Sequence, residues 1–299
     1  MTTTNFAGII PAIITPFDDR DRFHPAAFER LVERLFASGI DGLYVNGQTG
    51  EGLLQSVEQR KQVAEVALRC SPPGKAVIVH VGAYRTSDAL DLARHAAAQG
   101  AHAIASLPPL GSYSFAEIRA YYHALAAVSD LPLLIYYFPA IAPAIQAAAQ
   151  VLELLEIPNV IGLKFTDFDL YKMSVVIRRR GCVIFNGYDE IFVAGLLMGA
   201  SGGIGTFYNL VPELFVETFN LSRQGRWEEA RDVQKRINEL VEIGLRFPLI
   251  PAIKTILKWQ GLDCGEALEP RRRLTAEESS QLRELLRNSS FHTLAAPIQ

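Results

Sequence analysis

One lysine stands near the end of an apolar, strand-like run, Val160-Ile161-Gly162-Leu163-Lys164-Phe165. An ammonium buried among apolar groups is costly, so a lysine in such a place tends to lose its proton. Moving its pKa from about 10.4 to about 7 costs roughly 4 kcal/mol, a cost sustained mainly where the free amine is used. A neutral lysine amine attacks ketones and forms Schiff bases. The competing reading is a lysine at a strand end whose head reaches water.

Other reactive side chains follow other strand-like runs. Gly47-Gln48-Thr49-Gly50-Glu51-Gly52 is a glycine-rich turn ahead of a helix at Ser56–Cys70. It either bares N–H groups to a carboxylate or phosphate, or is simply a tight turn; without a following Gly-Lys-Ser/Thr it is no P-loop. Tyr136 stands before Pro139 and is either a proton donor and acceptor beside a Schiff-base lysine or a buried strand tyrosine. Gly187-Tyr188-Asp189-Glu190 offers two adjacent carboxylates, which could accept from sugar hydroxyls or cap the next helix. Thr166 and Thr206 end two further runs.

The elements that must position these groups are short and regularly spaced. Strands are read at Gly8–Ile14, Gly42–Asn46, Ala76–Val81, Ala103–Leu107, Leu131–Tyr137, Val160–Lys164, Cys182–Asn186 and Gly202–Gly205. Their starts lie roughly 20 to 35 residues apart, the size of a βα unit. Helical periodicity separates them, as in Phe28, Leu31, Val32 and Leu35, and Gly39, Gly100 and Gly199 mark helix ends. Eight such units predict an α/β fold, a (β/α)8 TIM barrel, with a doubly wound open sheet as the alternative. In a barrel the catalytic groups sit at the C-terminal strand ends, where Lys164, Tyr136, Thr49, Asp189 and Thr206 would converge. The barrel is expected over residues 1–225. Residues 226–299 read as a helical extension packed on it, with helices at Arg226–Gly244, Pro251–Gln260 and Thr275–Arg287 and a frayed tail from Ser289.

Composition narrows the function classes. The 299 residues are 49% hydrophobic and 20% charged, with a formal net charge of −3, which gives no reason to expect nucleic acid or an acidic membrane surface as a partner. Arg178-Arg179-Arg180 and Arg271-Arg272-Arg273 read as solvated helix ends. Cys70, Cys182 and Cys264 form neither a disulfide framework nor a metal spacing, and they suit a reducing cytoplasm. The first residues show no basic, apolar leader, and no run reaches the length of a membrane span. His80 reads as a core histidine, and no metal is expected. Gly199–Gly205 has the look of a dinucleotide fingerprint, but it enters a strand late in the chain rather than following the first one, and no Tyr-x-x-x-Lys comes after it.

Taken together, Gly47-x-Thr49-Gly50-Glu51, Tyr136-x-Phe138-Pro139, Gly162-x-Lys164-x-Thr166 and Gly187-x-Asp189-Glu190 resemble the dihydrodipicolinate synthase / N-acetylneuraminate lyase family of class I aldolases, from Gly8 to about Leu286. The resemblance implies that Lys164 forms a Schiff base with a 2-keto acid, that Tyr136 transfers protons and that Thr49-Gly50 holds the keto-acid carboxylate. It further implies a pyruvate-dependent carbon–carbon lyase of carbohydrate metabolism that needs no cofactor and assembles as a homotetramer. Pro139-Ala140-Ile141 lacks the arginine that the synthases carry there, so the lyase branch is favoured, with Gly187, Asp189, Glu190 and Thr206 on the sugar tail and Thr166 beside them. The substrate expected is N-acetylneuraminate or a close sugar acid. The alternatives are another 2-keto acid synthase, aldolase or dehydratase, or a silent keto-acid-binding barrel. Two positions depart from the family pattern: Gln48 replaces a relay hydroxyl, and Pro109-Leu110 replaces an aromatic pair that reaches across a subunit interface.

Overall fold

The structure, a computed structural model, describes residues 6–296. Strands β1 (Gly8–Ile9), β2 (Gly42–Val45), β3 (Ala76–His80), β4 (Ala103–Ser106), β5 (Leu133–Tyr137), β6 (Val160–Phe165), β7 (Val183–Asn186) and β8 (Gly202–Gly203) form one parallel sheet in the order β1-β8-β7-β6-β5-β4-β3-β2. Its two edges meet at a parallel bridge between Ala12 and Tyr44. There the Ile13 N–H donates to the Tyr44 carbonyl (3.1 Å) and the Tyr44 N–H donates to the Pro11 carbonyl (2.9 Å). The sheet closes on itself, giving the expected (β/α)8 barrel and not the open doubly wound sheet.

The strands are apolar on both faces because both faces are covered. Tyr44, Ile78, Ala105, Leu134, Tyr136 and Phe185 fill the barrel interior. Their alternates, among them Leu43, Val45, Val79, Ile135 and Leu163, pack outward against the helices. These helices are α1 (Pro25–Ala37), α2 (Val57–Cys70), α3 (Thr86–Ala98), α4 (Phe115–Val128), α5 (Ala148–Leu154), α6 (Leu170–Arg180), α7 (Phe192–Leu197) and α8 (Pro212–Arg223). In α1 the periodic Phe28, Leu31, Val32 and Leu35 are all buried, His24 Nδ1 accepts the Ala27 N–H, and Pro25 opens the first turn.

Most strand limits agree with the sequence reading to within two residues, and Gly39, Gly100 and Gly199 end helices with positive φ. The first strand differs. Its regular ladder with β8 covers only Gly8–Ile9, although the Ile10 and Ala12 N–H groups still donate to the Gly203 and Gly205 carbonyls (3.0 and 2.9 Å); on the side that faces β2, Pro11 has no N–H to donate. Asn209 continues the pairing of this segment: its Oδ1 accepts the Ile14 N–H (3.0 Å) and its Nδ2 donates to the Ala12 carbonyl (2.8 Å).

After α8 come α9 (Trp227–Gly244), α10 (Leu249–Trp259) and α11 (Ala276–Arg287), the last opened by a Thr275–Glu278 capping box. The stretch expected to fray is packed as far as Ala296. Phe291, Leu294 and Ala295 are buried, and Gln260 Nε2 donates to the Thr293 carbonyl (3.0 Å), because this segment carries apolar anchors that composition at a chain end does not reveal. Residues 297–299 lie outside the described residues.

One buried ion pair ties this helical part to the turn after β2. Lys254 on α10 meets Glu51 at 2.9 Å, and both side chains are almost wholly out of water. Glu51 Oε2 also accepts the Leu268 N–H (2.8 Å), and Lys254 Nζ donates to the Glu266 carbonyl (2.8 Å). Glu51→Gln strips the counter-charge from a buried ammonium and should destabilise the fold by about 3–5 kcal/mol, read as a lower urea midpoint. Unfolding at the wild-type midpoint would show that the pair contributes nothing.

Candidate active site

Strand register brings the key pair together. Tyr136 on β5 and Lys164 on β6 are direct partners across a parallel ladder, so both side chains emerge on the same face, the barrel interior. Lys164 is 4% exposed. Its Nζ lies 4.2 Å from the centre of the Tyr136 ring and 4.6 Å from that of Tyr44, and no carboxylate lies within ion-pair distance among the described residues. Burial lowers its pKa to about 7, with Asp189 pulling the other way. The lysine is therefore not a snorkelling one.

Burial raises the Tyr136 phenol well above its ordinary range, so Tyr136 is a neutral phenol in the free protein. The Thr166 hydroxyl opposes that shift, although Thr166 Oγ1 completes no hydrogen bond of normal geometry.

The turn after β7 supplies the carboxylates. Asp189 is buried, and its Oδ2 accepts the Phe207 N–H at 2.7 Å, while Oδ1 is buried with no partner. Asp189 thus does cap a helical turn, but the turn after β8 rather than the one that follows it in sequence. Burial lifts its pKa to about 7, against the Phe207 hydrogen bond. Glu190, raised by burial as well, stands beside it. Two glycines make room here. A Cβ on Gly205 would lie 1.7 Å from Asp189 Oδ1, and one on Gly187 would lie 2.0 Å from Thr166 Oγ1. The glycine-rich run through β8 therefore serves close packing, Gly202 against Gly8, Gly203 against Tyr208 and Gly205 against the carboxylate, and no nucleotide loop is needed to explain it.

These groups line one cavity of about 250 Å³ at the C-terminal ends of the strands. Gln48, Thr49, Tyr136, Lys164, Thr166, Gly187, Asp189, Glu190 and Thr206 all reach it. Thr49 and Thr206, from opposite sides of the β1 seam, share a hydroxyl–hydroxyl hydrogen bond of 2.7 Å. Gly50 does not line the cavity: it packs behind the wall, where a Cβ would sit 2.9 Å from the Ile13 carbonyl, and its own carbonyl accepts from Gln55 Nε2. The Thr49 and Gly50 N–H groups have no protein acceptor among the described residues.

The sequence reading missed the rest of the wall. Phe138 and Tyr188 flank assigned residues and could have been found from that adjacency. Val241, Leu245, Leu249, Ile250 and Arg271 come from the helical part, and no local signal places them there. The arginine run also needs correcting: Arg272 pairs with Glu278 as a solvated helix-end residue would, whereas Arg271 turns into the cavity. His80 is fully used in the core, with Nδ1 donating to the Asn46 carbonyl (3.1 Å) and Nε2 accepting the Leu107 N–H (3.1 Å). Among the described residues no group of histidines, cysteines and carboxylates is arranged to hold a metal ion, and no helix is long and apolar enough to cross a membrane.

Comparison with known proteins places this arrangement in context. Residues 5–289 match the model of the dihydrodipicolinate synthetase family. The N-acetylneuraminate lyase of Rhizobium meliloti is 37% identical over 279 residues, 93% of each chain. The solved sialic acid aldolase of Ruminococcus gnavus superposes with a TM-score of 0.90 at 32% identity, covering 94% of this chain and 95% of that one. The CdNal protein of Clostridium difficile, solved in complex with mannosamine, gives 0.91 at 28% identity, covering 96% and 100%.

The lysine's titration can be read without any substrate. Only the neutral amine reacts with acetic anhydride, so the acylation rate of the Lys164 peptide should rise with pH to a midpoint near 7. Asp189→Asn removes the charge that favours the ammonium, so the midpoint should move to lower pH. A midpoint near 10 would mean that the amine is solvated.

Proposed function

The chain belongs to the dihydrodipicolinate synthetase family, and from that premise we propose that it is a pyruvate-dependent class I aldolase that cleaves N-acetylneuraminate, or a close sugar acid, to pyruvate and N-acetylmannosamine. The observation that carries this reading is the Lys164 amine, dry, with a pKa of about 7, facing its strand partner Tyr136 inside a polar-rimmed cavity.

Lys164 Nζ attacks the C2 ketone, and water leaves as the iminium forms. Tyr136 gives its phenol proton to the hydroxyl that leaves C2 as water, since the cation forming over its ring favours the ionised phenol, and the C4 hydroxyl proton then passes to the phenolate through the substrate carboxylate. The C3–C4 bond breaks, its electron pair runs into the iminium to give an enamine, and the aldehyde departs. Protonation at C3 and addition of water release pyruvate and restore the amine. The iminium is the electron sink, so the chemistry requires no cofactor. Thr49 and the free N–H groups of Thr49 and Gly50 hold the carboxylate, with Gly50 acting through its backbone from behind the wall. Gln48 faces the same end. Asp189 Oδ1, Glu190, Thr166 and Thr206 orient the sugar hydroxyls, and Gly187 leaves Thr166 the space to do so.

The helical part after α8, which supplies Val241, Leu245, Leu249, Ile250 and Arg271, acts as an extension of the barrel that completes the cavity wall. Three unpaired cysteines support a cytoplasmic setting, and exposed Tyr84 and Tyr113 around Pro109 support burial of that face between subunits of a homotetramer. One observation favours a second reading: Gln48 lines the cavity without the hydroxyl of a proton relay, which suits an aldolase or dehydratase with another aldehyde partner.

Incubation with pyruvate and borohydride should attach one reduced pyruvyl group to Lys164, found by intact mass and peptide mapping. Lys164→Ala should keep its circular dichroism and lose both adduct and turnover. Tyr136→Phe should still trap pyruvate but cleave N-acetylneuraminate about 10²- to 10⁴-fold more slowly. An adduct without sialic acid cleavage selects the second reading. A folded protein that forms no adduct is a silent barrel.

A further inference from the structure

The cavity holds a cation that this reaction does not use. Arg271, between α10 and α11, lines the cavity together with Gln48, Leu249 and Ile250. The carboxylate nearest to it is already engaged, since Glu51 pairs with Lys254 at 2.9 Å and accepts the Leu268 N–H at 2.8 Å. Arg271 Nε stands 3.6 Å from Glu51 Oε2, is buried, and forms no hydrogen bond. One carboxylate thus faces two cations, and a positive charge is left over at the wall. The neighbouring arginines differ: Arg272 is closed on Glu278 at 2.6 Å, and Arg273 is largely exposed. The Arg271 side chain is 34% exposed, so its planar fork is partly stripped of water yet open to a ligand.

We propose that Arg271 forms a subsite for a second anionic group, a phosphate or carboxylate carried on the substrate in addition to its 2-keto acid. The proposal rests on the aldolase reading above and refines its substrate class. The keto acid lies at Lys164, the hydroxyls meet Asp189 and Glu190, and the second anion meets the guanidinium. A neutral tail leaves the surplus charge unmatched, whereas an anionic tail forms charge-assisted, bidentate hydrogen bonds with it.

The test is condensation of pyruvate with three acceptors: N-acetylmannosamine, its 6-phosphate and its 6-carboxylate analogue. Wild-type protein should use at least one anionic acceptor with a kcat/KM about tenfold or more above that of the neutral sugar, expressed mainly in KM and shrinking at high salt. The arms also separate phosphate from carboxylate. Arg271→Met should abolish the preference, Arg271→Lys should retain part of it, and both should form the borohydride-trapped pyruvyl adduct at the wild-type pyruvate dependence. Equal use of all three acceptors overturns the subsite. So does weakened pyruvate trapping in Arg271→Met, which would assign the arginine to the keto acid's own carboxylate. Failure of the wild type to trap pyruvate at all strikes the aldolase reading instead.

Discussion

The site depends on keeping one amine dry. Lys164 lies against the faces of Tyr136 and Tyr44, inside a barrel whose lower layers are filled by Ile78, Leu134 and Phe185. An ammonium there gains some attraction from the rings but loses its hydration, and the loss is the larger effect. The closed barrel makes this arrangement rigid. Parallel register fixes Lys164 beside Tyr136, and the seam at Ala12–Tyr44 brings Tyr44 round to the other side of the amine. An open sheet would leave that side to water.

Closing the cavity falls to the part of the chain that carries least of the chemistry. Val241, Leu249 and Ile250 bring apolar surface over strand ends that are rich in hydroxyls and carboxylates. This cover is registered by polar contacts in the interior. Glu51 holds Lys254 and the Leu268 N–H, and Gln234 Nε2 donates to the Asp189 carbonyl at 3.0 Å. Glu51 and Asp189 both border the reacting groups, so the same turns that present Thr49 and Asp189 also anchor α9 and α10. A buried pair of this kind adds little net stability over apolar residues, but it is severe on misplacement, which suits a wall that must sit in one position.

The sequence reveals this architecture where chemistry and periodicity are local. The βα spacing, the lysine in an apolar strand and the glycines around Asp189-Glu190 are each visible within a few residues, and they place the barrel and nine of the ten assigned residues on the cavity. Gly50 is the exception, because a backbone amide can serve a site that its own residue does not line. Relations between distant segments are not visible. Arg271, Arg272 and Arg273 look alike in a string, and only Glu278 on one side and Glu51 on the other separate their fates. The cap that Asp189 makes joins positions 18 residues apart, and the Glu51–Leu268 bond joins positions 217 apart. The tail at Phe291–Ala295 looks frayed in sequence because its burial is decided by Gln260 and α11, not by its own composition.

Asp189 shows how closely the parts are balanced. A carboxylate with an ordinary pKa, placed near Lys164, would hold the amine as ammonium throughout the neutral range. Asp189 avoids this because it is itself buried, at about 7, so it is largely neutral on the acid side of the pH at which the lysine loses its proton. The Phe207 N–H on Oδ2 pulls the other way and keeps the group ionisable. Gly205 is what admits the carboxylate to so enclosed a place, since a single methyl would occupy the position of Oδ1. A glycine with no reactive group thus admits the carboxylate that, without a bond to the lysine, opposes the burial that frees its amine.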